Sequence, residues 1–357
     1  MALDHKLEDL VRIEPLTRWL DENIPGLGSG PLKVELVHGG YSNAIVSLDR
    51  GGETLVLRRP PAVPPPGSEK TVLREARVLS ALDGTNVPHP RCHGVCEDSS
   101  VIGAPFYVME LVQGWSAKVV DEKAEYPAPF DAMPFQYRIP YAVTDALVAL
   151  ANVDYKAIGL EDFGKPGNFL ERQVDRWSSQ LEGYGAKYGY AGRDLPGRRL
   201  TEQWLRANTP RDYVPGIMHG DIGTTNMLFA HDAPARLHAL IDWELCTIGD
   251  PLIDMGWFTS GMRDEREPDV VPESVQRAEN WPTRQEIMRY YAAGTGRDIA
   301  NFDYYVILAR FKSGCILEYK VAQAARGTLS REVGDFFSGL VLKSFADAEH
   351  LIRLIDR

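Results

Sequence analysis

The segment Ile217-Met218-His219-Gly220-Asp221-Ile222-Gly223-Thr224-Thr225-Asn226-Met227-Leu228-Phe229 constrains this chain more than any other. Sixteen residues after Asn226, the run His238-Ala239-Leu240-Ile241 ends in Asp242. Apolar residues on both sides of a short polar stretch predict short buried strands flanking a loop. Met227–Phe229 and Leu240-Ile241 would pair as a buried hairpin with Asn226 and Asp242 at its ends. One polar residue beside an apolar strand is ordinarily structural. Three at fixed spacing, each next to a buried run, point to chemistry.

The spacing His-x-Asp-x-x-x-x-Asn, followed by an apolar strand ending in Asp, is that of a kinase catalytic loop and its metal-binding Asp. Phosphoryl transfer needs a group that orients the attacking hydroxyl and accepts its proton. It also needs hard oxygen ligands for magnesium on the phosphates. Asp221 suits the first role. Asn226, through its side-chain oxygen, and Asp242 suit the second. His219 reads as a packed residue bonded to loop backbone. The chain contains no Gly-Lys-Ser or Gly-Lys-Thr, which argues against P-loop chemistry.

HGDIGTTN together with IDWE resembles the signature of the aminoglycoside phosphotransferase and choline kinase superfamily. Gly249-Asp250-Pro251-Leu252-Ile253-Asp254-Met255-Gly256-Trp257 is similar to the GDP-x-x-D segment of that family. Asp250 and Asp254 read as loop and helix-cap residues, and Glu244 as an alternative contact to a second metal. Val37-His38-Gly39-Gly40-Tyr41-Ser42-Asn43-Ala44 resembles the family's nucleotide-phosphate loop. The resemblance implies that Gly39 and Gly40 let backbone N–H groups approach phosphate while Ser42 or Asn43 donates further bonds. It also implies a strand cation paired with a helix Glu, here Arg58 and Glu75. Arg stands where Lys is usual, and its planar fork binds phosphate well. Strand alternation alone leaves Arg58 and Arg59 open as the inward residue. Phe106–Gly114 resembles the inter-lobe hinge, where backbone of Glu110 and Val112 would meet adenine.

The resemblance implies an α+β, bilobal, protein-kinase-like fold. Residues 1–112 would form a small antiparallel-sheet lobe with one crossing helix, and residues 113–357 a larger, mainly helical lobe with the catalytic loop and metal site. The patterning agrees. Strands are predicted at 32–37, 44–48, 54–57 and 106–111, and a helix at 71–82, whose Val72, Ala76, Leu79 and Leu82 share a side. Residues 6–24 read as an amphipathic helix broken near Pro15. Further helices are predicted at 140–151, 168–184, 281–293, 303–325 and 332–357, with short strands near 216–218, 227–230 and 237–241.

The implied cofactors are ATP and Mg2+, and the implied partner is a small-molecule alcohol. Phe169–Gln180 and Tyr319–Gly327 are similar to one branch of the superfamily, whose kinase modules accompany acyl-CoA dehydrogenases. That branch implies a hydroxyacyl-CoA or a related carbon-chain alcohol as acceptor. Residues 165–206 carry eight Lys or Arg against five acids, within a chain of net charge -11. A locally basic region suits an anionic acceptor and repels a polycation. The acidic stretch Asp264, Glu265, Glu267, Asp269 and Glu273 could instead face amines, as an aminoglycoside phosphotransferase would require. A catalytically silent nucleotide-binding pseudokinase is the other alternative, though it would be free to lose Asp221, Asn226 or Asp242. The acidic charge disfavours nucleic acid and anionic membranes. Neither a signal peptide nor a bilayer-length apolar run is read in the sequence, so a cytoplasmic location is expected. Cys92 and Cys96 lack a second Cys or His pair at zinc-site spacing.

Overall fold

The structure is a computed structural model that describes residues 6–37, 43–120, 123–267 and 280–356. In chain order it begins with α1 (Leu7–Leu10), α2 (Ile13–Asn23), β1 (Lys33–Val37), β2 (Ala44–Arg50), β3 (Glu53–Arg59), α3 (Ser68–Leu82), β4 (Cys92–Cys96) and β5 (Phe106–Glu110). There follow β6 (Lys118–Val120), β7 (Lys123–Glu125), α4 (Phe135–Ala151), α5 (Glu171–Tyr188), α6 (Arg198–Ala207), β8 (Gly216–Met218), β9 (Met227–Phe229) and β10 (Leu237–Leu240). The chain ends with β11 (Thr247–Gly249), α7 (Leu252–Thr259), α8 (Arg284–Thr295), α9 (Phe302–Ala325) and α10 (Arg331–Ile355). Two compact units result. The first comprises Met1–Ser116, Lys156–Leu160 and Thr225–Cys246, and the second comprises Ala117–Tyr155, Glu161–Thr224 and Thr247–Arg357.

The first unit is built on an antiparallel sheet ordered β1-β2-β3-β5-β4. Between β2 and β3, Gly51 and Gly52 have φ of 64° and 90°, as a tight two-residue hairpin turn requires. Alternation along a strand sends neighbouring side chains to opposite faces. Val46, Leu48, Leu55, Leu57, Phe106 and Val108 join Leu10, Leu16 and Leu20 of α1 and α2 in one buried cluster. The other face carries Arg58 and meets α3, which buries Val72, Glu75, Ala76, Val78, Leu79 and Leu82. The sheet is therefore covered by helix on both faces. Pro15 lies in the first turn of α2, where a missing N–H costs nothing. Cys92–Cys96 is an edge strand that the sequence reading did not anticipate, and all four cysteines are free.

The β9–β10 hairpin belongs to this first unit. Trp115 N donates to Phe229 O at 2.9 Å, and Phe229 N donates to Trp115 O at 2.8 Å. Their rings stack at 4.7 Å. Leu240 N donates to Pro88 O at 2.9 Å. These bonds are why Asn226 and Asp242, expected with the later part of the chain, pack with the sheet.

In the second unit β8 and β11 pair antiparallel, and α9 packs against α5, α7 and α10. Pro140 lies inside α4, which starts earlier than the proline suggested. Helices α6 and α7 escaped the sequence reading. α7 is apolar on nearly every side, so it shows no helical period, and α6 is short and charged. No helix among the described residues is long and apolar enough to cross a membrane. A Cβ at Gly256 of α7 would sit 2.6 Å from Tyr305 O of α9. Gly256→Ala should therefore lower stability by about 1–3 kcal/mol through overpacking. The measurement is a urea midpoint at unchanged slope; a wild-type midpoint would mean that α7 and α9 separate at no cost.

Candidate active site

In the first unit, one end of β3 faces α3 and the short segment after β10 that holds Asp242 and Glu244. Arg58 Nε lies 3.0 Å from Glu75 Oε2, and Arg58 Nη2 lies 2.6 Å from Asp242 Oδ1 and 3.7 Å from Glu244 Oε2. Glu75 Oε1 accepts from Trp243 N at 3.0 Å. With its amide turned to match these donors, the Asn43 oxygen accepts from Arg58 Nη2 and Nε at 3.1 and 3.3 Å. Arg58, Glu75 and Asn43 are all buried. Burial pushes the Glu75 carboxyl up to about 7, with Arg58 opposing the rise. For Arg58, burial opposes ionisation, but Glu75 and Asp242 hold the guanidinium above its ordinary value.

Of the two arginines, Arg58 is the one that pairs with Glu75 of α3. Ile45 pairs with Arg58 and Ala44 with Arg59, so the two side chains leave opposite faces. Arg59 is bonded to the carbonyls of Leu10, Pro60 and Ile102. It is a structural tie between the sheet and the N-terminal helices.

Asp242 has φ 67° and ψ 66°, a left-handed backbone that non-glycine residues adopt at a cost and that gathers at functional sites. Asn226 closes a short 3-10 turn, Thr224–Asn226, and its carbonyl accepts from Ile241 N at 3.0 Å. The hairpin thus sets Asn226 and Asp242 at the same end of β9 and β10. Glu110 ends β5, and its N–H donates to Arg91 O at 2.9 Å. Val112 follows in irregular chain. Gly39, Gly40 and Ser42 lie outside the described residues.

In the second unit, Asp221 sits in the loop after β8. Asp221 N donates to His219 Nδ1 at 3.3 Å, and His219 is fully buried, as its structural reading required. Asp254 Oδ2 accepts from His219 N at 2.7 Å and Oδ1 from Gly220 N at 3.0 Å. Asp254 is therefore the anchor of the loop carrying Asp221, a role the sequence reading missed by treating it as a cap. The available signal was an acid in the apolar run Leu-Ile-Asp-Met-Gly-Trp-Phe, because an acid so placed needs buried partners. Burial pushes this carboxyl up to about 6 against its two N–H donors. Asp250 accepts from Leu252 N at 3.1 Å and Tyr305 Oη at 2.6 Å. From α9, Lys312 Nζ reaches Gly220 O at 3.4 Å. Within the acidic stretch, Asp264 pairs with Arg266, Glu265 with Arg289 and Glu267 with His350.

Among the described residues no group of three or more His, Cys, Asp or Glu could hold a metal alone. The oxygen donors of Asn226 and Asp242 do fit magnesium, which takes few protein ligands when phosphate oxygens complete its shell.

The profile of the phosphotransferase enzyme family, APH, matches residues 33–288. The chain belongs to this phosphotransferase family. A candidate aminoglycoside phosphotransferase from Ralstonia eutropha JMP134 is 29% identical to it, with TM-score 0.77 over 95% of this chain and 98% of that one. Acyl-CoA dehydrogenase family member 10 of Mus musculus is 29% identical over 342 residues, or 92% of this chain and 30% of that protein. Family member 11 of Homo sapiens is 29% identical over 337 residues, or 91% of this chain and 41% of that protein. The chain thus spans less than half the length of these two acyl-CoA dehydrogenase family members. Its fold is shared by a thermostable mutant of aminoglycoside phosphotransferase APH(4)-Ia, solved with AMP-PNP and hygromycin B, at 14% identity and TM-score 0.53 over 95% and 98% of the two chains.

Glu75→Ala in this phosphotransferase should destabilise it by about 3 kcal/mol, because a buried guanidinium loses its buried partner. Chemical denaturation checks this. A variant as stable as wild type would mean that Asn43, Asp242 and Glu244 satisfy Arg58 without Glu75.

Proposed function

We propose that this phosphotransferase moves the γ-phosphoryl group of ATP, with magnesium, to the hydroxyl of a small molecule. The observation that carries the reading is the buried Arg58–Glu75 pair joined to the part-exposed Asp242, which has a strained left-handed backbone. Strained backbone and buried charged networks of this kind gather at ligand and active sites. Structures of the same fold hold AMP-PNP or ADP, which supports a nucleotide here. Arg58 would bind the nonreacting phosphates, oriented by Glu75. Gly39, Gly40, Ser42 and Asn43 would cradle phosphate, and backbone of Glu110 and Val112 would meet the base. Asn226 and Asp242 would hold magnesium, which supplies neutralisation of charge on the phosphates when bound.

Asp221 would orient the acceptor and take its proton. The acceptor oxygen bonds to the γ-phosphorus, the bond from that phosphorus to the bridging oxygen breaks, and ADP leaves with the electron pair. A hydroxyacyl-CoA or a related carbon-chain alcohol is the acceptor best supported. The relatives named acyl-CoA dehydrogenases align over nearly this whole chain. In the second unit a hollow of about 560 Å³ is lined by Lys165, Arg172 and Arg176, with Phe169, Gln173 and Thr247. Its one acid, Asp175, is bound to Arg206 at 2.7 Å, leaving a basic surface suited to an anionic acceptor.

Asp221→Asn should lower ATP turnover by about 10²–10⁴-fold while binding of magnesium–AMP-PNP stays within twofold. Asp242→Ala should weaken that binding itself. Calorimetry and a coupled ADP assay read both, using hydroxyacyl-CoA thioesters, sugars, amino alcohols and aminoglycosides as acceptors. Full turnover in either variant would remove the assignment.

A further inference from the structure

We propose that Arg176 is the specificity-determining residue of the acceptor site, reading the phosphates of a coenzyme A thioester in the basic hollow of the second unit. The inference rests on the reading of this chain as a kinase with an anionic acceptor. It states which part of that acceptor is recognised, and by which side chain. The hollow is lined by three cations, Lys165, Arg172 and Arg176, and they are not equivalent. Arg172 donates to the carbonyls of Gly167 and Lys165, so part of its fork is spent on tying down the turn before α5. Arg176 makes no hydrogen bond or ion pair with the described residues. Its guanidinium lies over the Trp177 ring, 4.7 Å from the centre. That contact leaves its N–H groups available to an anion, which a planar fork can grip at two points.

An arginine over a tryptophan is ordinary by itself; the surroundings of this one are not. The single acid in the lining, Asp175, is engaged by Arg206. Like charges gathered in one concavity repel each other, and a bound polyanion relieves that repulsion. A chain of contacts then leads from the hollow to the loop of Asp221. The ammonium of Lys312, on α9, lies 5.2 Å from the centre of the same Trp177 ring. It also reaches the carbonyl of Gly220, the neighbour of Asp221, at 3.4 Å. A coenzyme A thioester matches this layout. It carries a diphosphate and a ribose phosphate at one end, the acyl chain at the other, and an uncharged pantetheine arm between. Phosphates held at Arg176 send the arm past Trp177 and the acyl hydroxyl toward Asp221. A sugar or simple alcohol offers Arg176 nothing, and a polycation is repelled. Selection therefore falls on the coenzyme end, and acyl chains of different length can share the site.

The test reads binding before turnover. Calorimetry uses free coenzyme A with magnesium–AMP-PNP saturating, so that the adenosine end cannot enter the nucleotide site. Wild type should bind coenzyme A with an affinity that falls as salt rises, and pantetheine, which lacks the phosphates, about tenfold or more weakly. Arg176→Gln should weaken coenzyme A binding by about tenfold or more at an unchanged melting temperature. Lys165→Gln, a second exposed site, should weaken it by about threefold. Three results would each overturn the inference: no binding of coenzyme A to wild type, equal affinity for pantetheine, or wild-type affinity in Arg176→Gln. In turnover of a hydroxyacyl-CoA, Arg176→Gln should raise KM and leave kcat nearly unchanged, as the loss of uniform binding does. A fall in kcat alone overturns a specificity role. The two readings fail separately. Coenzyme A binding that depends on Arg176, in a protein that phosphorylates no hydroxyacyl-CoA, keeps the coenzyme site and sinks the kinase reading alone. Phosphorylation of a sugar or an aminoglycoside at a rate indifferent to Arg176→Gln does the reverse.

Discussion

A guanidinium enclosed by protein cannot be left without anions, because desolvating it costs several kcal/mol before any partner is counted. Arg58 meets this demand by drawing together three segments far apart in sequence. These are the end of β3, the inner face of α3 through Glu75, and the residues after β10 through Asp242 and Glu244. Once Arg58 is buried at that position, the hairpin that supplies Asp242 must dock on the sheet. Its seat is made by the paired backbones of Trp115 and Phe229 and by the bond from Leu240 to Pro88. The same docking carries Asn226 to the hairpin's other strand. A single ion-pair requirement therefore aligns the oxygen donors proposed for the metal with the cation proposed for the phosphates.

The second unit solves a parallel problem with the charges reversed. A short loop must hold Asp221 in one orientation, yet short loops have few contacts of their own. Asp254 supplies rigidity from α7 by accepting two consecutive backbone N–H groups. The His219 ring takes a third from Asp221 itself. α7 can present Asp254 because Gly256 lets it approach the α9 backbone closely. Packing at a helix crossing thus determines where a loop carboxylate can stand.

Much of this was legible in the residues. The spacing of Asp221, Asn226 and Asp242, the strand Arg, the helix Glu and the long C-terminal helices all carry local signals: periodicity, apolar runs, or acids at fixed offsets. Arg58 and Arg59 could not be separated until the register was known, since a shift of one residue exchanges the faces. The β4 strand was hidden because Cys92-His-Gly-Val-Cys96 has neither clear alternation nor β-branched residues beyond Val95. Helix α7 was hidden because a helix buried on all sides has no amphipathic period. The loop-anchoring role of Asp254 depends on a contact across 34 or 35 residues, which no local window contains. The cover of the sheet by α1 and α2 was similarly invisible, because an amphipathic helix does not declare which surface it will meet.

The partition of the chain has a bearing on how it is made. The first unit is not a continuous stretch: the polypeptide leaves it after Ser116 and returns at Lys156–Leu160 and again at Thr225–Cys246. Arg58 and Asp242 are separated by 184 positions. During synthesis the sheet of the N-terminal lobe therefore emerges long before the hairpin that completes it. Until then Arg58 has Glu75 and Asn43 but neither Asp242 nor Glu244, and the surface awaiting Phe229 and Leu240 stays open to solvent or to a chaperone. Contacts this distant slow folding, and a fragment ending near residue 116 would be an unfinished lobe.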